Sequence, residues 1–423
     1  MTLKALSALL FIPTIFAGEF RAPEELLRRS PPPGEGFKTR FFGREVVVPG
    51  YDRRKLNAWM AGISFNFPEP ASRTVEPAAA LYFWRHPSDR KLFYGQISGL
   101  FNQLFFAKKP WEGKPWEWVT TFESFTIPFE IEELADGHPD RKERLAWGYV
   151  RPGLGIGYRK QTPPGFNDNM AALDLIVEPG WLYFGRYNKH ERFVKPRDTF
   201  ELRTRLKFQW DAFRRNLLNL VTEGVAFGAE GIWGWRTRWR DWGVDGRHPG
   251  NNRYYLFRGY AMAATGIPLL GETDRHRLIG RVDAGIGHNL DRFNRGATDR
   301  LSGGINPVGE EWSSQPFPIL PGATYLEFYP TRYAIAYGEY RFAPTFFSFL
   351  HAYGGVAYLN PRKQIHRSSD RREEIMPFAG ARITTGFFGS TRLVIDYAHN
   401  FGVERKENGP GSNQITVWIS GQF

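Results

Sequence analysis

The segment NQITVWISGQF, residues 413–423, alternates apolar and polar side chains up to the end of the printed chain. The apolar parity consists of Ile415, Val417, Ile419, Gly421 and Phe423. The polar parity consists of Gln414, Thr416, Ser420 and Gln422, with Trp418 as its only large apolar side chain. Because successive side chains of a strand point to opposite faces, the segment is predicted to be a strand with one apolar and one polar face.

The composition indicates which kind of protein such strands would build. The chain has 423 residues, of which 42% are hydrophobic and 16% aromatic, and its mean hydropathy is -0.44. After the first twenty residues no apolar run reaches the length of a transmembrane helix, roughly 18 residues. A transmembrane barrel fits this profile, because only every second residue meets lipid and aromatic girdles line both interfaces. A soluble β-rich or carbohydrate-binding protein is the alternative.

The charge and cysteine counts exclude several classes of protein. The chain has 56 Lys and Arg against 44 Asp and Glu, a net charge of +12. The basic residues are scattered through alternating segments and form no block, so we predict no nucleic-acid partner. They are better assigned to a water-filled lumen or to loops that face anionic lipid headgroups. The absence of cysteine excludes disulfides and thiolate metal sites.

The sequence divides into three regions. Residues 1–17 read as a secretory signal peptide, with an early charge at Lys4, a short apolar core and the small residue Ala17. Residues 18–54 are rich in Pro, Arg and Gly and are predicted to be a periplasmic arm or plug segment. Residues 55–423 are predicted to form a transmembrane β-barrel.

Two long segments display the alternation most clearly. In DTFELRTRLKFQWD, residues 198–211, apolar side chains such as Phe200 and Leu206 oppose a row of charges. In VAFGAEGIWGWRTRW, residues 225–239, the apolar parity ends in Trp233, Trp235 and Trp239. Three tryptophans at the end of one apolar face are typical of an interfacial belt.

The charged parity supplies the candidate lumen residues. They are Arg203, Arg205, Lys207, Arg236, Arg238 and Arg281, with Glu201 and Asp283 among their candidate partners. One interpretation is that they pair across strands and fill a polar interior. The other is that the excess of cations favours the passage of anions.

Comparable segments number about sixteen by pattern. They run from residues 55–67 to residues 413–423 and include 90–106 and 299–306. In lipid an unpaired sheet edge leaves backbone groups unsatisfied, so such a strand set must close on itself. We therefore predict an all-β fold, a transmembrane antiparallel β-barrel of about sixteen strands, in which the last segment pairs with the first.

The last segment, with its terminal Phe423 and with Trp418, resembles the signal by which bacterial outer-membrane barrels are recognised by the assembly machinery. The resemblance implies the bacterial cell outer membrane as the location. It implies outer-membrane lipid, lipopolysaccharide and the barrel-assembly machinery as partners.

A narrower resemblance covers about the last 125 residues. It rests on RLSGGINPVG (300–309), PILPGATYLEF (318–328), YGEYRFAP (337–344), HAYGGVAYLN (351–360) and the two segments that follow. These segments are similar to the C-terminal part of the barrel in the BamA-type superfamily, the surface-antigen barrels that insert or translocate proteins. The resemblance implies a loop at residues 309–325 that folds into the lumen, with its tip at Leu320, Pro321 and Gly322.

Two departures from that superfamily accompany the resemblance. Pro321 and Gly322 stand where the family has an Arg-Gly tip, and Tyr353 stands about where the family places the carboxylate that holds the arginine. The arginine and its carboxylate are expected to be absent together, because either charge alone in the lumen would lose its partner and keep its desolvation cost. The short arm also leaves no room for the family's periplasmic repeat domains.

The sequence contains few features that would indicate an enzyme. No Gly-x-Ser-x-Gly elbow and no metal-ligand spacing occurs, so we predict no catalytic residue, no metal and no cofactor. An acid or serine beside His288 or His399 would revive that class. The leading prediction is a BamA-like barrel in transport or assembly across the outer membrane, and the alternative is an anion-favouring general porin.

Overall fold

The computed structural model describes residues 30–41, 44–68, 74–135, 138–165, 169–187, 190–270, 275–294, 318–325, 327–360, 374–387, 391–405 and 409–422. The chain forms a closed antiparallel barrel of sixteen strands. The predicted fold class is therefore confirmed. In this part of the chain no helix is long and apolar enough to cross a membrane.

The barrel strands are numbered in chain order. They are β1 Lys55–Phe67, β2 Val75–Ser88, β3 Lys91–Ile97, β4 Phe101–Lys108, β5 Trp116–Thr126, β6 His138–Gln161, β7 Met170–Tyr187, β8 Thr199–Asp211, β9 Val221–Arg236, β10 Arg253–Gly266, β11 His276–His288, β12 Arg332–Thr345, β13 Ser348–Asn360, β14 Glu374–Phe387, β15 Thr391–Arg405 and β16 Gly409–Gln422. Short strands at Ile131–Ala135 and Arg214–Arg215 pair with β6 and β9.

The two ends of the barrel differ in their connections. One end, the long-loop end, carries the connections 127–137, 188–198, 237–252, 289–331 and 361–373, together with the shorter 68–74, 98–100 and 406–408. The other, the short-turn end, carries 89–90, 109–115, 162–169, 212–220, 267–275, 346–347 and 388–390. β1 begins and β16 ends at the short-turn end, as an even number of antiparallel strands requires.

The barrel closes where β16 pairs with β1. The antiparallel register runs from Asn413 opposite Phe67 to Gln422 opposite Ala58. We call this pairing the seam. The seam leaves no free edge on the barrel sheet, as predicted from segment 413–423.

The two faces of each strand follow the sequence alternation. On β8, Phe200 and Leu206 are exposed on the outer face, whereas Glu201 and Arg203 are buried in the interior. On β16, Ile419 is exposed outside. The interior is therefore polar and the outer face apolar, the reverse of a soluble protein.

Several details of the prediction need correction. Residues 90–106 form two strands, β3 and β4, because Gly99 turns the chain with a φ of 79°. Trp239 is not part of an outer belt: β9 ends at Arg236, and Trp239 is buried at 5% exposure. Trp233 and Trp235 remain on the outer face at 51% and 37%.

Some sequence-based expectations fall outside the described residues. These are the signal peptide at 1–17, the segment 299–306, the first half of the expected inward loop and the terminal Phe423.

The arm is described from Ser30 to Arg54. Its strands Phe37–Phe41 and Arg44–Val48 form a two-stranded sheet of their own and do not join the barrel. Next to β1, the Asp52 carboxylate accepts hydrogen bonds from the backbone N–H and the side chain of Arg54. These bonds stabilise the charged carboxylate and lower the pKa of Asp52.

Candidate functional site: the charged lumen and the seam

A buried carboxylate on β8 organises the charged interior. The Glu201 side chain accepts hydrogen bonds from Arg151 Nε at 2.9 Å, Arg236 Nε at 2.8 Å and the Tyr254 hydroxyl at 2.9 Å. Arg236 also reaches Asp291 at 2.7 Å. Arg151 and Arg236 have fully buried side chains, so the geometry keeps each guanidinium paired.

The next layer toward the short-turn end repeats this arrangement. Arg205 contacts Glu178 at 2.9 Å and Glu123 at 3.3 Å, and Arg203 contacts Glu178 at 3.3 Å. Arg151 also lies 3.3 Å from Glu123. The two layers therefore form one continuous network across β5, β6, β7 and β8.

A third layer adds charged residues of β9 and β10 to the network. Glu230 on β9 accepts a hydrogen bond from Arg258 Nε at 2.6 Å. Lys207 lies in register between Asp174 on β7 and Glu230. Each layer thus matches cations with carboxylates of neighbouring strands.

The candidate lumen residues separate into two groups. Arg203, Arg205, Lys207, Arg236, Arg281, Glu201 and Asp283 all lie on the inner face, and Arg281 pairs with Asp283 on the same strand at 2.6 Å. Arg238 does not lie there. It follows the end of β9, has a φ of 52° and is exposed, because the chain turns out of the strand before reaching it.

A second polar cluster lies on β12 and β13. Glu339 contacts Arg341 at 2.8 Å and His351 Nδ1 at 2.8 Å. On β13 the Tyr353 hydroxyl donates to Asp396 of β15 at 3.1 Å. Tyr353 is the position that departs from the BamA-type pattern. Its neutral hydroxyl therefore points into the lumen and donates a hydrogen bond there.

The described part of the expected inward loop, residues 318–325, lies inside the barrel against the last strands. Leu320 and Ala323 are fully buried. Asn400 Nδ2 of β15 donates to the Pro321 carbonyl at 2.9 Å, and Ser412 Oγ of β16 donates to the Gly322 carbonyl at 2.7 Å. We call residues 318–325 the seam loop.

Gly322 is required at the tip of the seam loop. Its φ is +81°, a conformation that side chains other than glycine rarely adopt. A Cβ at this position would also lie 2.7 Å from the Cβ of Asn400. The tip can therefore approach β15 closely only because it carries no side chain.

The seam loop bonds to both sides of the seam. On β16, Gln414 Nε2 donates to the Ala323 carbonyl at 3.0 Å and to Asn66 Oδ1 of β1 at 2.7 Å. On the other side, the Tyr325 N–H donates to Glu76 Oε1 of β2 at 2.9 Å. Asn66 in turn donates to Glu76 Oε2 at 3.0 Å. The loop thus bridges β16 and β2, the strands on either side of β1, from inside the barrel.

An aromatic cluster fills the barrel near the long-loop end. The fully buried Phe293 ring contacts Trp147, Phe184, Trp239 and Trp242, with ring centroids 4.8 to 5.8 Å apart. We call these five residues the aromatic cap. It lies above the Glu201 layer, since the Arg236 guanidinium lies 4.5 Å from the Trp239 ring.

The two histidines that would favour an enzyme have other neighbours. His288 stacks on Tyr255 with ring centroids 5.3 Å apart. His399 Nδ1 lies 2.9 Å from Asn413 Oδ1. Within the described residues, no group of three or more His, Cys, Asp or Glu could hold a metal ion.

Several residues of this site were not singled out from the sequence. The carboxylate partners Glu123 and Glu178 and the seam residues Asn66 and Glu76 were missed. Gln414 was assigned to the polar parity, but without a role. Parity could have placed all of them inside, whereas their partners depend on contacts between distant strands.

Known proteins are similar to this chain in structure but not in sequence. No family model and no curated protein matches the sequence. BamA from Haemophilus ducreyi lacking POTRA domains 1–3 is similar in structure, with a TM-score of 0.50 and 10% identity over 95% of this chain and 76% of that chain.

Two CdiB structures are more weakly similar. CdiB from Acinetobacter baumannii has a TM-score of 0.48 and 10% identity over 91% of this chain and 65% of that one. CdiB from Escherichia coli has a TM-score of 0.47 and 12% identity over 94% and 68%. At these identities, the similarity to BamA establishes a shared barrel fold and nothing more.

Proposed function

We propose that this chain is a bacterial outer-membrane barrel of the BamA-like superfamily that acts in transport or assembly across that membrane. The outer face supports the membrane location. Large apolar side chains such as Leu154, at 69% exposure, and Phe257, at 56%, point away from a charged interior. Such an apolar surface is stable in contact with lipid, whereas its exposure to water is unfavourable.

The orientation and partners follow from that location. Bacterial barrels have short periplasmic turns and longer external loops, so the short-turn end and the arm would face the periplasm. The partners would be outer-membrane lipid, lipopolysaccharide and the assembly machinery that recognises the last strand. Trp418 lies on the inner face of that strand, where the Arg382 guanidinium lies 5.8 Å from its ring.

The observation that carries the proposal is the seam loop. Its backbone accepts hydrogen bonds from Asn400 of β15 and from Ser412 and Gln414 of β16. It also donates one hydrogen bond to Glu76 of β2. A loop that occupies the lumen and ties to the closing strands suits a barrel whose resting state is shut. A diffusion pore needs its lumen free.

The charge network supports the same choice. Arg203, Arg205 and Arg236 are at most 9% exposed and are paired with carboxylates. Paired charges in a filled interior give little preference for anions. The net charge of the whole chain is therefore a poor guide to the selectivity of its lumen.

Single-channel conductance of the refolded protein in a planar bilayer tests the proposal. We expect the unmodified chain to be mostly closed, with brief openings, and deletion of residues 309–325 to produce frequent openings. The matched control is Gln209→Ala, which alters an inward side chain on β8 away from the seam loop.

A steady, large, anion-selective conductance from the unmodified chain would contradict the proposal. If that conductance fell when Arg203, Arg205 and Arg236 were neutralised, the chain would be a porin.

A further inference from the structure

The turn between β8 and β9, residues 212–220, does not stay at its own rim. The Leu218 carbonyl accepts a hydrogen bond from Arg392 of β15 at 3.2 Å. Next to the turn, the Val221 carbonyl accepts one from Arg341 of β12 at 2.6 Å. The turn therefore folds inward at the short-turn end and reaches the opposite strands.

This turn is rigid and apolar on its inner side. Asn216 Oδ1 accepts the backbone N–H groups of Leu218 and Leu220, each at 3.0 Å, which fixes the turn. An apolar cluster joins the turn to β12 and β13. It contains Leu217, Leu218, Ala343 and Phe349, with Leu220 and Phe346 packed against it. The short-turn end thus presents a preformed apolar surface beside Phe346.

The arm lies on this surface. Ser30 Oγ donates to the Phe346 carbonyl at 3.1 Å, and the Phe37 ring meets the Phe346 ring edge-on at 5.3 Å. Farther along, Arg53 Nη2 donates to Asn219 Oδ1 in the inward turn at 3.0 Å. Because Arg53 precedes β1 and Phe346 lies between β12 and β13, the arm spans the opening of the barrel between these positions.

The contacting part of the arm has the sequence SPPPGEGF, residues 30–37. Its three successive prolines have fixed φ angles and therefore lose little conformational entropy on docking. Pro31 and Pro33 are buried and Pro32 is half-buried. A turn closes the segment, because the Glu35 N–H donates to the Pro32 carbonyl at 3.3 Å and Gly34 has a φ of 84°. The segment is therefore a proline-rich turn whose two ends, Ser30 and Phe37, both contact Phe346.

The arm is held less firmly than the barrel strands. Its hairpin pairs only with itself, whereas the seam alone joins ten residue pairs, from Asn413 with Phe67 to Gln422 with Ala58. Release of the arm would break no ladder of the barrel sheet. The arm can therefore leave its surface while the barrel stays closed.

We propose that the short-turn end carries a docking site for a proline-rich turn segment, built by Phe346 and the inward turn, which residues 30–37 occupy exchangeably. When occupied, the site holds the arm across the opening. When it is vacated, the opening and the inward turn become accessible from that side.

A peptide-binding measurement on the full chain tests this site. The probe is a fluorescently labelled peptide of residues 30–41, added to protein in lipid nanodiscs and followed by fluorescence anisotropy. The variant Ser30→Ala, Phe37→Ala, Arg53→Ala removes three contacts of the arm with the barrel. We expect this triple variant to bind the peptide at least tenfold more tightly than the unmodified chain, whose site is already occupied.

Two further variants make the result specific. Adding Phe346→Ala to the triple variant should abolish the gain, because the aromatic surface is lost. Val47→Ala, on an exposed side chain of the arm hairpin at 48% exposure, should bind the peptide as weakly as the unmodified chain.

Failure of the triple variant to bind the peptide would overturn the docking site, as would equal binding with and without Phe346. The outcome is independent of the proposed function. A barrel that opens on deletion of residues 309–325 but ignores the peptide would retain that function and lose only this site.

Discussion

At the scale of single residues, the interior is governed by buried carboxylates that each hold more than one cation. Glu201 is the clearest case, since Arg151, Arg236 and Tyr254 all donate to it. A buried ion pair adds little net stability compared with apolar packing, but removing one partner is costly because it leaves the other charge uncompensated.

Glu201→Ala is therefore expected to lower the free energy of unfolding by about 3 to 5 kcal/mol. The matched control is Glu223→Ala, because Glu223 is 57% exposed and lies 3.8 Å from the exposed Arg214. Exposed pairs of this kind contribute about 1 kcal/mol or less. Urea unfolding from lipid vesicles, followed by tryptophan fluorescence, measures both variants. Equal losses in the two would contradict the central role of Glu201.

A second residue-scale prediction concerns the aromatic cap. Phe293 is fully buried and contacts four other aromatic rings, so Phe293→Ala should destabilise the barrel by about 3 to 5 kcal/mol through loss of packing. Phe129→Ala is the control at the same end, because Phe129 is 57% exposed. The same urea titration compares them, and a neutral Phe293→Ala would mean that the cap is not a packed core.

At the scale of elements, the alternation in the sequence indicates which side of a strand such as β8 or β16 faces inward. On β8 and β16 the parity alone separated inner from outer side chains. It failed where an element ended. The parity placed Arg238 and Trp239 by extending β9, whereas β9 stops at Arg236 and the chain turns. Strand ends depend on loop packing, which periodicity does not record.

The seam loop leads to the element-scale prediction. Gln414→Ala removes the bonds from β16 to Asn66 of β1 and to the Ala323 carbonyl. Each lost buried hydrogen bond costs about 1 kcal/mol or more, so amide hydrogen exchange along β1 and β16 should accelerate roughly 5- to 100-fold. Mass spectrometry of the exchanged peptides measures it.

The control for this change is Gln209→Ala on β8, which should leave exchange at the seam unaltered. If Gln414→Ala also left it unaltered, the loop would be a passive filling of the lumen and not a tie across the seam.

At the scale of the whole molecule, the distribution of polarity is inverted relative to a soluble protein. Charged layers fill the interior, and the exposed outer face carries leucine, phenylalanine and tryptophan. This inversion underlies the proposed membrane location, and it can be tested without knowledge of any transported molecule.

Leu206→Arg introduces a charge on the outer face of β8, where Leu206 is 50% exposed. In a membrane this change should reduce the free energy of folding into lipid vesicles by about 2 to 4 kcal/mol. Val47→Arg, equally exposed at 48% but on the arm outside the barrel, should be neutral. A neutral or stabilising Leu206→Arg would indicate a soluble barrel.

The sequence by itself determined the closed all-β fold, the approximate number of strands and the faces of residues such as Arg203 and Ile419. Alternation is a local property, and lipid outside with water inside leaves a barrel as its only stable solution. The tertiary structure alone decided that Glu201 binds Arg151 and Arg236, that Gln414 ties the seam, and that the arm meets Phe346. These partners are far apart in the chain, and their contacts depend on strand register and on barrel closure, which no local pattern contains.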